Sequence, residues 1–177
     1  MYHIKTDKRT GASVAKICDG LGACMREKSF SKISVAEIAD AAGVSRATFY
    51  RSFDTPHDIL VYLCDKLVGE LVLSLPLADS SDRNQLLLRT LEYLTDHADE
   101  ITVVFNAGRT DLLQKALEPY AHQLVQPAAK QLSARELDYF RISAITRLLG
   151  IFHVWNFHGR VESPSEIMRI LKQIDSN

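Results

Sequence analysis

Cysteine is scarce in this chain and poorly spaced for chemistry. Cys18, Cys24 and Cys64 are odd in number and form no C-x-x-C pair, so neither a disulfide framework nor a zinc site is indicated. They read as small, reduced core residues. Long hydrophobic runs are missing as well. No segment is long and apolar enough to span a bilayer, and the opening MYHIKTDKRTG lacks the apolar centre of a signal peptide. A cytoplasmic location is therefore expected. The chain also lacks G-x-S-x-G, phosphate-loop, H-E-x-x-H and dinucleotide fingerprints. No enzyme activity and no cofactor are expected. His153 and His158 are five residues apart and do not share a helical face, which argues against a metal.

A strong net charge is absent too, but the formal −1 hides an asymmetry. Residues 1–55 hold nine Lys and Arg against six Asp and Glu, whereas the remainder holds twelve against sixteen. A cationic bias confined to one end points to a nucleic-acid contact at that end, with an ordinary solvated surface as the alternative.

Alternating β-branched runs do not occur, and apolar residues recur at helical spacing almost throughout. The chain reads as all-α, with about nine helices. Val14, Ile17, Cys18, Leu21 and Met25 make one face of a first helix, roughly Thr10 to Lys28, whose three glycines leave it dependent on tertiary packing. Ser34-Val-Ala-Glu37 has the form of a capping box opening a short helix that ends near Ala42. Gly43 suits the left-handed residue past a helix end, and Ser45 suits a cap for the next helix. Two short helices around a tight glycine turn make a helix-turn-helix. Thr55-Pro-His-Asp58 then starts a long helix through Leu60, Leu63, Leu67 and Leu71, which Pro76 and the polar ADSSDRN end. Ser133-Ala-Arg-Glu136 and Ser163-Pro-Ser-Glu166 are two more capping boxes.

The stretch AGVSRATFYRSF, residues 42–53, carries the most functional information. On a helix beginning after Ser45, Phe49 and Phe53 share the inner face, so Arg46, Ala47, Thr48, Tyr50 and Arg51 occupy the outer one. Arginine can bond guanine bidentately in the major groove, Thr and Ala can meet a thymine methyl, and Tyr and Ser hydroxyls suit phosphate. Backbone N–H groups at the helix start suit the same phosphates.

The run KISVAEIADAAGVSRATFYRSFDTPHDIL resembles the DNA-binding domain of the TetR family of transcriptional regulators, with its capped helix, AGVS turn, T-x-Y recognition helix, phenylalanine and fourth helix. The likeness covers roughly residues 10–65. It implies a homodimer of two-domain, all-helical chains that binds double-stranded DNA at a pseudo-palindromic operator: a helix-turn-helix domain over 1–55 and a ligand-binding and dimerisation domain over 56–177. By this resemblance the base-reading positions fall on Val35, Arg46, Ala47 and Thr48, and the phosphate contacts on Ser34, Ser45, Tyr50 and Arg51. His57 and the N–H groups beside it are further phosphate candidates. Where the family often has lysines after the phenylalanine and at the start of the fourth helix, this chain has Asp54 and Pro56.

From Leu148 to Gly159 the sequence carries no Asp, Glu, Lys or Arg. Ile145, Leu148, Phe152 and Trp155 lie along one stripe of that helix, with Leu149 and Ile151 off it; the last helix presents Ile167, Ile170, Leu171 and Ile174. Helices apolar on several sides need cover on several sides, so Leu148, Phe152, Trp155, Ile167 and Leu171 are expected at a dimer interface. GIFHVWNFHGRVESPSEIMRIL is also similar to a C-terminal domain type of a TetR subgroup that includes regulators of dihydroxyacetone metabolism. A small-molecule effector is expected among the middle helices, with Tyr93, His97, Phe105, Asn106, Arg109 and His122 as candidate walls and anchors. Each has a plain alternative: aromatics and histidines in the core or on the surface, and Arg109 capping a helix end beside Gly108. The expected function is a sequence-specific, ligand-responsive repressor. The competing readings are an activator, or a helical dimer of the same fold without operator binding or ligand response.

Overall fold

The computed structural model describes residues 1–4, 8–75, 83–121 and 132–176. Among them run nine α-helices: α1 (Lys8–Met25), α2 (Val35–Ala42), α3 (Arg46–Tyr50), α4 (Pro56–Ser74), α5 (Arg83–Asp96), α6 (Ala98–Asn106), α7 (Thr110–Leu117), α8 (Ala134–Phe157) and α9 (Pro164–Asp175). Short 3-10 turns stand at Phe30–Lys32 and Glu118–Tyr120, and the one β contact among the described residues is an isolated antiparallel bridge between Tyr2 and Phe53. The fold is all-α, as the periodicity predicts.

The chain forms two compact units. The first is Met1–Lys66 with Asp99–Leu112; the second is Leu67–Ala98 with Leu113–Asn177.

In the first unit Val14, Ile17 and Leu21 of α1, Ile38 of α2, Phe49, Phe53, and Ile59, Leu60 and Leu63 of α4 are buried. Phe53 lies between two other rings, its centroid 5.9 Å from Phe49 and 5.9 Å from Tyr62. Gly20 explains one of the glycines that weaken α1. A Cβ there would stand 2.8 Å from the carbonyl oxygen of Ile38 and 2.9 Å from the Ala42 methyl, so α1 and α2 approach more closely than any other residue permits.

Capping fixes the helix starts. Ser34, Ser133 and Ser163 each accept from the backbone N–H three residues on, while Glu37, Glu136 and Glu166 reach back to the serine N–H. All three sequence capping boxes form. At α4 the predicted signal works differently: the buried Asp58 carboxylate accepts from the N–H groups of Asp54 (3.1 Å) and Thr55 (2.9 Å) and from the Thr55 hydroxyl (3.1 Å).

The second unit is built around Val68, Leu71, Leu75, Leu86, Leu117, Ala121 and Ile145, with Tyr93 and Leu149 packed against them. On α8, Ile145, Phe152 and Trp155 are buried and Leu148 is half-buried, as the stripe predicts. Trp155 is anchored by its indole N–H, which donates to the Glu162 carbonyl at 2.8 Å.

Candidate nucleic-acid interface

The turn between α2 and α3 is set by Gly43, at φ 62°, whose N–H closes back on α2. Val44 N–H bonds the Ala39 carbonyl at 2.9 Å, so the chain leaves α2 in one direction and enters α3 at once. Ser45 caps α3, accepting from Thr48 N–H at 3.0 Å. Phe49 is fully buried and fixes the rotation of this short helix. The residues predicted to face outward do so: Arg46, Ala47, Tyr50 and Arg51 are exposed and Thr48 is half-buried.

These side chains differ in how free they are. Ser45 Oγ and Thr48 Oγ1 are 2.9 Å apart, and Arg51 Nη2 donates to Thr48 Oγ1 at 2.8 Å. Ser45, Thr48 and Arg51 thus form one hydrogen-bonded row. Arg46 and the Tyr50 hydroxyl have no hydrogen-bond partner among the described residues, and the Tyr50 ring rests edge-on against Phe49 at 5.6 Å. At the start of α2, Ser34 is exposed and Val35 half-buried. Glu37 beneath them pairs with Lys28. That ammonium, with the backbone and hydroxyl of Ser34, holds the Glu37 carboxyl down to about 2.

Asp54 brings a negative charge to the edge of this surface, but the charge is compensated. The amino group of Met1 lies 3.0 Å from its carboxylate and His3 Nε2 3.3 Å away, and the amino group above all holds the carboxyl below its ordinary value. His3 N–H donates to the Ser52 carbonyl at 2.8 Å, and Tyr2 donates to Asp65 at 2.8 Å. Periodicity gave no sign of this N-terminal segment's role, because its contacts span about fifty residues or more. His57, at the second position of α4, is half-buried and bonded to Arg109.

The surface presents donors and positive charge and no activated nucleophile. Burial pushes the Cys18 and Cys64 thiols up to about 12. No group of His, Cys, Asp and Glu able to hold a metal ion occurs among the described residues, and no helix among them is long and apolar enough to cross a membrane.

The predicted effector residues are divided between the two units. Tyr93 and His97 belong to the second unit and stack at 4.2 Å, with the Tyr93 hydroxyl 3.4 Å from Glu70. Phe105, Asn106 and Arg109 belong to the first unit. Arg109 does more than cap a helix end, since its guanidinium grips Asp111 and His57. His122 lies outside the described residues. An open groove of about 1180 Å³ lies in the second unit between α5 and α9, lined by residues outside the predicted set, among them Gln85, Leu88, Met168, Arg169, Lys172 and Ile174.

A capped helix, a glycine turn and a short outward-facing cationic helix on a three-helix base define a helix-turn-helix DNA-binding protein. Residues 17–63 match the bacterial regulatory proteins of the TetR family. The matched stretch runs from within α1 to within α4 and takes in the whole helix-turn-helix. No curated protein matches it in sequence. Among solved structures it is similar in fold to the fatty acid degradation regulator FadR from Bacillus halodurans, with a TM-score of 0.70 at 18% identity over 96% of this chain and 95% of that one. It is also similar to the dihydroxyacetone kinase operon activator DhaS, with a TM-score of 0.59 at 17% identity over 93% and 92%. A TetR regulator from Streptococcus agalactiae 2603V gives 0.62 at 15% identity over 93% of each chain. At these identities the likeness is one of fold.

Proposed function

We propose that the protein is a ligand-responsive repressor that binds a pseudo-palindromic operator as a homodimer, with α3 in the major groove. The observation that carries this reading is Arg46: an exposed guanidinium with no partner among the described residues, at the first position of a helix whose other face is locked by a fully buried phenylalanine. In this reading Arg46, Ala47, Thr48 and Val35 meet base edges, and Ser34, Ser45, Tyr50, Arg51 and His57 meet phosphates.

The dimer contact belongs to α8 and α9. Phe152, Trp155 and Ile167 already fill the interior of their own unit, while Leu148 and Leu171 are half-buried. Among the apolar side chains these helices leave exposed are Val154, Phe157 and Ile174, at 53%, 79% and 62%, beside Tyr139 at 66%, and the first three supply the proposed interface. An effector held by the second unit, with Tyr93 and His97 as candidate anchors, need only change the separation of the two α3 helices. They must sit about 34 Å apart, or a multiple of that, to enter successive major grooves. DNA and effector then weaken each other's binding by the same factor.

Selection from random-sequence DNA tests the reading. The expected product is a two-half-site consensus with pseudo-dyad symmetry, and a reporter carrying it should be switched down by the protein. Recovery of no consensus would instead favour a dimer of this fold that has lost operator binding, and a reporter switched up would make the protein an activator.

A further inference from the structure

The guanidinium of Arg109 is divided between two partners, and the division carries information. Its Nε and Nη2 donate to the two carboxylate oxygens of Asp111 at 2.8 and 2.9 Å, and its Nη1 lies 3.1 Å from Nδ1 of His57. The first pair is a two-point grip that fixes the plane of the fork. Its base is fixed as well. Gly108, at φ 67°, ends α6 with its N–H on the Phe105 carbonyl at 2.9 Å, and Arg109 N–H bonds the Val104 carbonyl at 3.1 Å. Nη1 therefore points at His57 from an arginine held at both ends.

A guanidinium can only donate. Nδ1 of His57 must accept, which puts the ring hydrogen on Nε2 and fixes the ring about its own bonds. His57 stands at the second position of α4, six residues beyond Arg51 in the chain and three beyond Asp54. We propose that Arg109 is a positioning residue for DNA binding: it holds the His57 imidazole with Nε2–H presented as a hydrogen-bond donor to a DNA phosphate, and it is not an anchor for the effector. The inference rests on the reading of His57 as a phosphate contact.

Two consequences separate this role from a merely structural one. A neutral donor strengthens binding on every sequence but displaces no counterion, so removing it should leave the dependence on salt unchanged. A residue acting only through His57 should have no effect on DNA once His57 is gone.

The test uses the full chain, ¹⁵N-labelled at histidine, and the operator recovered by selection. Long-range ¹H–¹⁵N spectra of the wild type should show His57 Nδ1 as an acceptor and Nε2 protonated, and Arg109→Ala should convert this to a mixture of tautomers. His57→Ala and Arg109→Ala should each weaken operator and scrambled DNA alike, by roughly tenfold, at unchanged salt slope. The double variant should bind no more weakly than either single one. A protonated Nδ1 in the wild type overturns the proposal without any variant, so it stays exposed to test even if Arg109→Ala fails to fold. Additive losses in the double variant overturn it as well. If His57→Ala binds normally while Arg46→Ala loses the operator, the His57 role is wrong and the recognition helix stands; if neither matters, the DNA-binding surface itself has been misassigned.

Discussion

Arg46 leaves α3 at its first position with its guanidinium uncommitted among the described residues, so it can meet a base without first breaking a bond. Arg51 and Thr48 are bonded to each other and must rearrange or contact DNA as a unit. This difference gives an ordered prediction. Arg46→Ala should cost about 1 to 3 kcal/mol on the operator and relax one base position, because a bidentate contact to guanine is lost. Tyr50→Phe removes only a hydroxyl and should weaken all sequences alike. Titrating each variant against operator and scrambled DNA checks both, and an equal loss on the two DNAs for Arg46→Ala would contradict its assigned role. At this scale the sequence was informative where a residue's task is local: Ser34, Ser45 and the outward face of α3 follow from spacing alone. It did not reveal that Arg109 would meet His57, fifty-two residues away, or that His3 would lie 3.3 Å from the Asp54 carboxylate.

At the scale of the element, the legible features were those that a few consecutive residues determine. Capping boxes, the glycine turn and the stripe of α4 all stand where periodicity places them, and Leu60, Leu63, Leu67 and Leu71 are buried. Less legible were the short 3-10 turn at Phe30–Lys32 and the break at His97 between α5 and α6, which carry no proline or glycine to announce them. The glycines of α1 looked like weaknesses, and only the approach of α2 shows why Gly20 is needed. Gly20→Ala gains helix propensity of up to about 1 kcal/mol but forces backbone atoms apart, an overpacking cost of about 1 to 3 kcal/mol. A net loss of stability is expected in thermal unfolding, with Gly11→Ala, which meets nothing within 4 Å, as the stabilising control. Glu37 sets the acid response of the same element. Its carboxyl is lowered in the folded chain, to about 2, from about 4.3 in an unfolded one. Its contribution is therefore complete above the unfolded value and is lost as the pH falls toward 2. Acid unfolding followed by circular dichroism should show a shallower pH dependence over that window for Glu37→Gln than for the wild type; identical slopes would contradict the role of the Lys28–Glu37 pair.

For the whole molecule, the account requires two copies of the DNA-binding unit at a fixed spacing, hence a dimer. Val154, Phe157 and Ile174 are part of the apolar surface that α8 and α9 leave to water, with Tyr139, Ile142 and Ile170, and covering such surface is worth roughly 25 cal/mol per Å². Phe157→Glu should convert a dimer of the 19.9 kDa chain to monomer in sedimentation velocity, with the fold retained and operator affinity reduced. A Phe157→Glu protein that remains dimeric would move the interface elsewhere. The proposed effector site lies at the limit of what the sequence reveals, because a ligand cavity is assembled from residues distant in the chain, and spacing along a helix does not show which side chains will meet.

The central claim is tested most directly by fluorescence anisotropy of the wild-type chain on labelled DNA from the region beside its own gene, with scrambled competitor and a series of salt concentrations. The account predicts a complex that survives excess scrambled DNA and weakens linearly in log affinity against log salt, with a slope near −0.9 for each phosphate neutralised. If neither this DNA nor the consensus from random-sequence selection binds more tightly than scrambled DNA at any salt, the assignment of α3 as a sequence-reading helix is contradicted.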